Sequence, residues 1–350
     1  MKTKLFFLSL AAAALVMAPA CNDVKTQMEE TGKGTLSIEF KTKVDTKASN
    51  ADPFADDDEV TTIQAIVFDA SGNFYTSITP TLNATSGKYT GDVVVEAGSY
   101  NVAVVVNGES VYTASTAATL SALRATGVDL GQNSTSTGTV RYGETVSAVT
   151  VAAGSNAVAE ITANNIAFRV MVNSLSIDLS SSEASLSITG AFLENIYVNS
   201  TYAGTITDFR HPGGRTATGT SPAAAVITSS SAYTPALTYY SGNPASYAAA
   251  FYAYPNAVTS DQFDGPIASG VAETRLVLIG SWKQTATSAA ETVYYPVTVP
   301  SPAAGYSYDI NASIAGKGSD DPNKMPENGT LGVSITVNGW SAGAEIPATF

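Results

Sequence analysis

The sequence predicts an all-β fold of two antiparallel sandwiches in tandem, and three observations carry that expectation. Short runs of alternating apolar and polar residues recur along the chain, punctuated by Gly, Asn and Asp turns. Ala, Ser, Thr, Val, Gly and Asn dominate a composition with 17 tyrosines and few leucines, which suits extracellular β-structure. Helical periodicity is confined to one short segment, and the 350-residue length suits two domains after a leader. No short-period repeat is present, so a solenoid is excluded.

The elements follow in order. Met1 to Lys4 is a short basic segment, Leu5 to Met17 is apolar or small throughout, and Ala18-Pro19-Ala20 ends it with small residues. Thirteen residues at about 1.5 Å each reach roughly 20 Å, short of a roughly 30 Å hydrocarbon core, so the run is a signal peptide and not a span. Cys21, the single cysteine, directly follows it. A small residue before a lone Cys reads as a lipobox, with the thiol acylated (as by palmitate) and Cys21 the first residue of an outer-membrane lipoprotein; an ordinary cleavage site beside a stray Cys is the other reading. No disulfide and no further thiol chemistry remains to the chain.

Asn22 to Gly34 reads as a polar tether, and Leu36 to Lys41 as a strand with Leu36, Ile38 and Phe40 on one face. A polar break follows from Thr42 to Glu59. Strands resume at Ile63–Phe68, turning at Asp69 to Asn73, and at Lys88–Glu96, Ser99–Asn107 and Ala148–Val151. Ala114 to Ala125 reads as a short helix capped by Ser115 or Thr116, with Leu120 and Leu123 inward. A second unit begins near Asn156, with strands at Ala157–Ile161, Ala167–Val172, Ala184–Ile188 and Asn195–Asn199. After a long Ser/Thr/Ala/Gly/Pro stretch from Thr201 to Ala248, strands return at Ala249–Tyr254, Arg275–Gly280, Thr292–Val299, Ser307–Ala315 and Leu331–Trp340. The expected division is 1–20 signal peptide, 21–47 lipidated tether and removable first strand, 48–156 first sandwich and 157–350 second sandwich.

Little here points to chemistry. A net charge of −13 with only 13% charged residues excludes nucleic-acid binding. His211 is the single histidine, in a His-Pro-Gly-Gly loop context, without a second histidine for a zinc site. No nucleophile elbow, P-loop or dinucleotide fingerprint stands in a strand–turn–helix context, so no enzyme, no cofactor and no metal is expected. The acidic run Asp52 to Glu59 and the segment Ser319 to Asn323 read as solvated loops, with Ca²⁺ binding the alternative. Tyr239-Tyr240 with Tyr252 and Tyr254 would suit a sugar-stacking platform, while cross-strand packing better explains Tyr252 and Tyr254.

The informative constellation lies at the two ends. In the last strand Leu331, Val333, Ile335 and Val337 alternate with Gly332, Ser334, Thr336 and Asn338, and the first strand carries the matching stripe Leu36, Ile38, Phe40. Lys41, Lys43 and Lys47 follow that first stripe, and no basic residue then occurs until Lys88. A trypsin-like cut near Lys47 would free the chain from its lipid and release the first strand, opening an apolar groove for a strand from another chain. The alternative is that both strands close their own sandwiches and never move.

The layout resembles the type V pilins (fimbrillins) of Bacteroidia. The stretches that carry the resemblance are Val67-Phe68-Asp69 with Gly72, Ala97 to Tyr100 leading to Val106-Asn107, Phe192 to Ile196, Phe251 to Asn256, Thr274-Arg275-Leu276, and the C-terminal run from Tyr308-Asp309-Ile310 through Gly316-Lys317-Gly318 to Ile335–Trp340. The resemblance implies two transthyretin-like β-sandwich domains, export as a lipoprotein to the cell surface, and removal of the first strand by a trypsin-like surface protease. It implies a cut at Lys47–Ala48, with Lys43 the second choice, release of Leu36, Ile38 and Phe40, and donation of Leu331, Val333, Ile335, Val337 and Trp340 to an identical subunit. Minor tip and anchor subunits would be further partners, and the outer-membrane lipid a partner through Cys21 before processing. Several relatives are cut after Arg, but no Arg precedes Arg124 here, so the protease must accept Lys. The expectation is a structural, adhesive subunit of a surface fimbria. A monomeric surface lipoprotein binding glycans or host ligands, or a tip or anchor subunit, is the alternative.

Overall fold

The computed structural model describes residues 32–42, 59–108, 111–132, 138–179, 181–210, 249–258, 272–322 and 324–339. In its first half the strands are β1 (Lys33–Lys41), β2 (Ile63–Phe68), β3 (Phe74–Ile78), β4 (Thr81–Asn83), β5 (Lys88–Glu96), β6 (Gly98–Val106), β7 (Gly127–Asp129), β8 (Arg141–Glu144), β9 (Val149–Val151), β10 (Asn156–Thr162) and β11 (Asn164–Asn165), with helix α1 at Leu120–Arg124. In its second half they are β12 (Phe168–Ile177), β13 (Ser185–Glu194), β14 (Ile196–Thr201), β15 (Ile206–Arg210), β16 (Ala249–Ala253), β17 (Thr274–Lys283), β18 (Glu291–Val299), β19 (Tyr306–Ile314) and β20 (Leu331–Gly339).

The first sandwich pairs a sheet of order β10-β1-β5-β4 with one of order β11-β8-β6-β2-β3, to which β9 adds through β6. Strict alternation puts Leu36, Ile38 and Phe40 of β1 on the core side, against Ala65, Val67, Val102, Val104 and Val106. The expected boundary between Asn156 and Ala157 falls within β10, which runs parallel to β1, and β11 pairs with β8. Sheet membership therefore carries the first sandwich through Asn165.

The second half holds a sheet β16-β12-β19-β20 and a sheet β13-β17-β18. Pairing is antiparallel except for β1 with β10 and β12 with β19. The exposed edge of β18 is blunted twice: Pro296 lacks an N–H, and Ser319 pairs with Tyr294 through N–H···O bonds of 2.8 and 3.0 Å.

The two halves are joined by more than a linker. Residues Ile66, Phe68, Ala103 and Val105, on the outer face of β2 and β6, belong to one apolar cluster with Val170, Leu193 and Leu276 of the second half. A third sheet, β15-β14-β7, takes β7 from the first half and β14 from the second. The β14–β15 turn also caps α1: Ala203 N donates to Arg124 O at 3.0 Å and Tyr202 N to Thr126 O at 3.3 Å. The Tyr202 ring lies between Tyr142, stacked at 5.1 Å, and Tyr112, whose hydroxyl lies 2.5 Å from its own. Interfaces between domains are commonly mobile, but a shared sheet and a continuous core oppose hinging.

The helix is shorter than the sequence suggests. It begins at Leu120 with Thr119, not Ser115 or Thr116, as N-cap, its side chain accepting from Ala122 N, while Leu120 and Leu123 are buried as expected. Thr113, Ser115 and Thr116 instead hydrogen-bond among themselves, the local competition that keeps such residues out of helices. Tyr202→Ala should cost about 3–5 kcal/mol by emptying the junction. A urea titration followed by tyrosine fluorescence should show that loss as a lower midpoint.

Candidate functional site

The candidate site is the seat of β1, because this strand sits inside its sheet and not at the edge. It pairs antiparallel with β5 from Lys33↔Glu96 to Phe40↔Tyr89, and parallel with β10 from Thr35↔Asn156 to Lys41↔Thr162. Leu36 and Ile38 are fully buried and Phe40 is 1% exposed. Phe40 stacks on Tyr89 with ring centroids 5.3 Å apart. On the outer face the Ser37 hydroxyl lies 2.6 Å from Asp92 Oδ1 and 3.0 Å from Asn156 Oδ1. Lys88 Nζ lies 2.7 Å from Glu39 and 3.7 Å from Glu160, which stand side by side in the β1–β10 register. The Glu39 hydrogen bond holds the Lys88 ammonium above its usual range. Removal of β1 would thus leave an apolar floor with unpaired backbone on both sides.

The other half of the constellation is β20. Among the described residues it pairs with β19 alone, Ile314↔Leu331 to Tyr306↔Gly339, and it carries no charge. Leu331, Ile335 and Val337 are half-buried against the second core, and Val333 is 41% exposed. The stripe therefore faces its own core only in part. Cys21, Lys43, Lys47, Ala48 and Trp340 lie outside the described residues, as do His211, Tyr239 and Tyr240.

Several of the motifs that carry the resemblance turn out to be structural. Glu194 and Arg275 form an ion pair at 3.3 Å with both side chains fully buried. Beside it Asn195, at φ 57°, donates from Nδ2 to Glu273 O at 2.8 Å, while its carbonyl accepts from Asn256 Nδ2 at 3.1 Å and Thr274 Oγ1 at 3.0 Å. In the first half Asn107, at φ 56°, plays a like part, donating to Glu59 O at 2.7 Å and Thr139 O at 3.1 Å and accepting from Thr61 N at 2.8 Å. Asn tolerates this left-handed backbone and satisfies neighbouring groups with its amide. Asp69 closes its turn by accepting from Ser71 N and Asn73 N at 2.9 and 2.8 Å, and the bonds to Asn73 hold its carboxyl below the usual range.

Tyr252 and Tyr254 are 1% and 0% exposed, so they pack and do not form a sugar platform. Asp320 is exposed and Asp321 half-buried in the β19–β20 loop. Among the described residues no three His, Cys, Asp or Glu side chains gather closely enough to hold a metal ion. Sequence reasoning missed the buried hub as a unit, although Glu194-Asn195, Asn256 and Thr274-Arg275 each stood out in its separate stretch.

The architecture is shared with bacterial surface proteins. A cell adhesion structure from Bacteroides eggerthii superposes with a TM-score of 0.63 at 17% identity, over 89% of this chain and 97% of that one. A second assigned to cell adhesion, from Parabacteroides distasonis, gives 0.58 at 17% identity over 88% and 99%. A fimbrilin from Porphyromonas gingivalis gives 0.57 at 14% identity over 89% and 98%. No curated protein matches the sequence. The fold class is thus that of fimbrilin-like all-β surface proteins. The family model of the fimbrillin-A associated anchor proteins Mfa1 and Mfa2 matches residues 26–342, and the chain belongs to that family. Its role is fimbrial and structural, at the cell surface, in association with other fimbrial subunits.

Glu194→Gln should cost about 3–5 kcal/mol, because it leaves the Arg275 guanidinium buried without its counter-charge. Chemical denaturation of the purified chain should show the loss as a lower midpoint with an unchanged slope.

Proposed function

We propose that the chain is a shaft-forming subunit of a surface fimbria, polymerising by protease-triggered donor-strand exchange and adhesive through its exposed loops. The observation that carries this reading is the contrast between two strands of one chain. The inward face of β1 is buried and the strand is paired on both sides; among the described residues β20 is uncharged, paired on one side and half-exposed. Full burial of a Val, Leu or Ile side chain contributes about 1.5–3 kcal/mol, so the Val333 stripe gains by moving from its own edge into a neighbour's slot.

A cut after Lys47 or Lys43 would remove only the covalent tie. β1 would still be held by both ladders and by Leu36, Ile38 and Phe40, so it would leave as another strand enters. An emptied slot would expose too much apolar surface and unpaired backbone to persist. Acylation at Cys21 would tether the precursor to the outer membrane until that cut.

The family's description as anchor proteins favours a second reading. In it β1 is never removed, Cys21 stays acylated, and the C-terminal strand alone is given to the subunit above.

N-terminal sequencing and mass of the protein from native cells, with a gel of unheated samples, separates these. The shaft reading expects a start at Ala48, or just after Lys43, and a ladder of heat-sensitive multimers. An acylated Cys21 start within such multimers establishes the anchor reading instead. A single monomer band overturns both and leaves a ligand-binding lipoprotein.

A further inference from the structure

The seat of β1 has one position that only glycine fits. An ideal Cβ on Gly34 would lie 2.5 Å from the Ala152 carbonyl oxygen, 2.5 Å from Val151 Cγ1 and 3.0 Å from the Ser155 carbonyl oxygen. These groups belong to the end of β9 and to the β9–β10 turn, which is closed on itself. Ser155 N and Ser155 Oγ both donate to Ala152 O, at 3.1 and 2.7 Å. Gly154, at φ +68°, donates to Lys33 O at 2.7 Å and ties the turn to β1. A side chain at position 34 would have to displace backbone that is already hydrogen-bonded. The inward row that the slot accepts therefore reads Gly34, Leu36, Ile38, Phe40.

The C-terminal stretch carries the same kind of row with glycine at both ends: Gly329, Leu331, Val333, Ile335, Val337, Gly339. Gly332 is out of phase, since seating it would turn Ser334 and Thr336 inward. An incoming strand can thus bring glycine to the notch in two ways. Running in the sense of β1 it enters with Gly329; running in the opposite sense it enters with Gly339.

Two observations select the second. Gly329 has a local reason to be glycine, its φ of +82° in the turn before β20. Gly339 sits opposite Tyr306 in the β19–β20 ladder and is not among the positive-φ glycines. Gly339, the last residue of β20, pairs in an extended strand where no left-handed backbone calls for glycine. Moreover, with Gly339 in the notch Thr336 takes the place of Ser37 and offers a hydroxyl to Asp92 and Asn156. With Gly329 there, that place falls to Gly332, which has none. In either sense an aliphatic residue replaces Phe40 beside Tyr89.

We propose that Gly34 marks a register notch, and that the C-terminal strand of a second copy enters the slot antiparallel to the β1 it replaces. Gly339 sits in the notch, and Val337, Ile335 and Val333 take the places of Leu36, Ile38 and Phe40. This rests on the exchange reading above and adds the direction and register of the incoming strand.

Paired cysteines test it, because the chain after Cys21 contains none. In fimbriae from cells producing Asp92→Cys with Thr336→Cys, diamide should give a ladder that survives heating without reductant. Asp92→Cys with Gly332→Cys should give none. The reverse result overturns the direction, and heat-sensitive multimers that neither pair cross-links overturn the register; in both cases exchange itself still stands. Gly339→Val should lower multimer yield at least tenfold while the monomer stays folded by circular dichroism, and an unchanged yield overturns the notch. Wild-type protein that never forms multimers overturns the exchange reading and this inference together.

Discussion

The structure depends on the wall formed by β2 and β6, which is apolar on both faces. One face, with Val67, Val102 and Val104, receives Leu36, Ile38 and Phe40 from β1. The other, with Ile66, Phe68, Ala103 and Val105, joins the core of the second half. Successive residues in a strand point to opposite sides, so a continuous apolar run such as Val102 to Val106 is what a wall between two cores requires. If β1 leaves, only one face loses its cover. The other stays held by the shared β7–β14 pairing and by the ring of Tyr202. The second half thus backs the first, and the proposed strand replacement would not require the whole chain to unfold.

The same arrangement explains the near absence of chemistry. The buried polar residues gather where backbone turns must be satisfied. Asn107 closes the end of β6, Asn195 and Asn256 brace the start of β14, and the Glu194–Arg275 pair lies beside them. A left-handed Asn at the end of a core strand appears in each half, solving the same problem of reversing the chain without stranding its N–H and C=O groups. These joints are polar and non-covalent in a protein whose single cysteine leaves no partner thiol for a disulfide.

Much of this was legible in sequence, and what was not has a physical cause. The alternation of Leu36, Ile38 and Phe40 revealed both the existence of β1 and its buried face, because period two is imposed locally. Its interior place in the sheet was not legible, because its parallel partner β10 lies more than a hundred residues away. Strands β4, β7 and β11 span only two or three residues and carry no periodicity to read. The Leu331–Val337 stripe was visible, but not that Val333 would be exposed, since exposure depends on which sheet edge the strand joins. Gly34 gave no signal at all: its need arises from the carbonyls of a turn at residues 152–155.

Strand exchange asks a subunit to be stable before assembly and more stable after it. Too firm a hold on β20 would hinder donation, and too loose a hold would leave an uncharged strand free to aggregate. β20 is paired with β19 along its whole length while Val333 stays exposed, and in the proposed exchange that burial would be completed in a neighbour. β1 meets the opposite need. Its two ladders and buried stripe hold it in the slot; in the proposed exchange they would keep the slot shut until a cut and would then favour a replacement that buries a comparable stripe. Two features of the slot bear on which strand that is. Glu39 and Glu160 stand side by side across the β1–β10 pair, bridged by Lys88, so the resident strand sets like charges together there, whereas Ser334 would bring no charge to that place. In the proposed exchange, the notch at Gly34 would reject a strand without a glycine in phase. An apolar slot alone would accept many strands, and the notch is what would give it a preferred register.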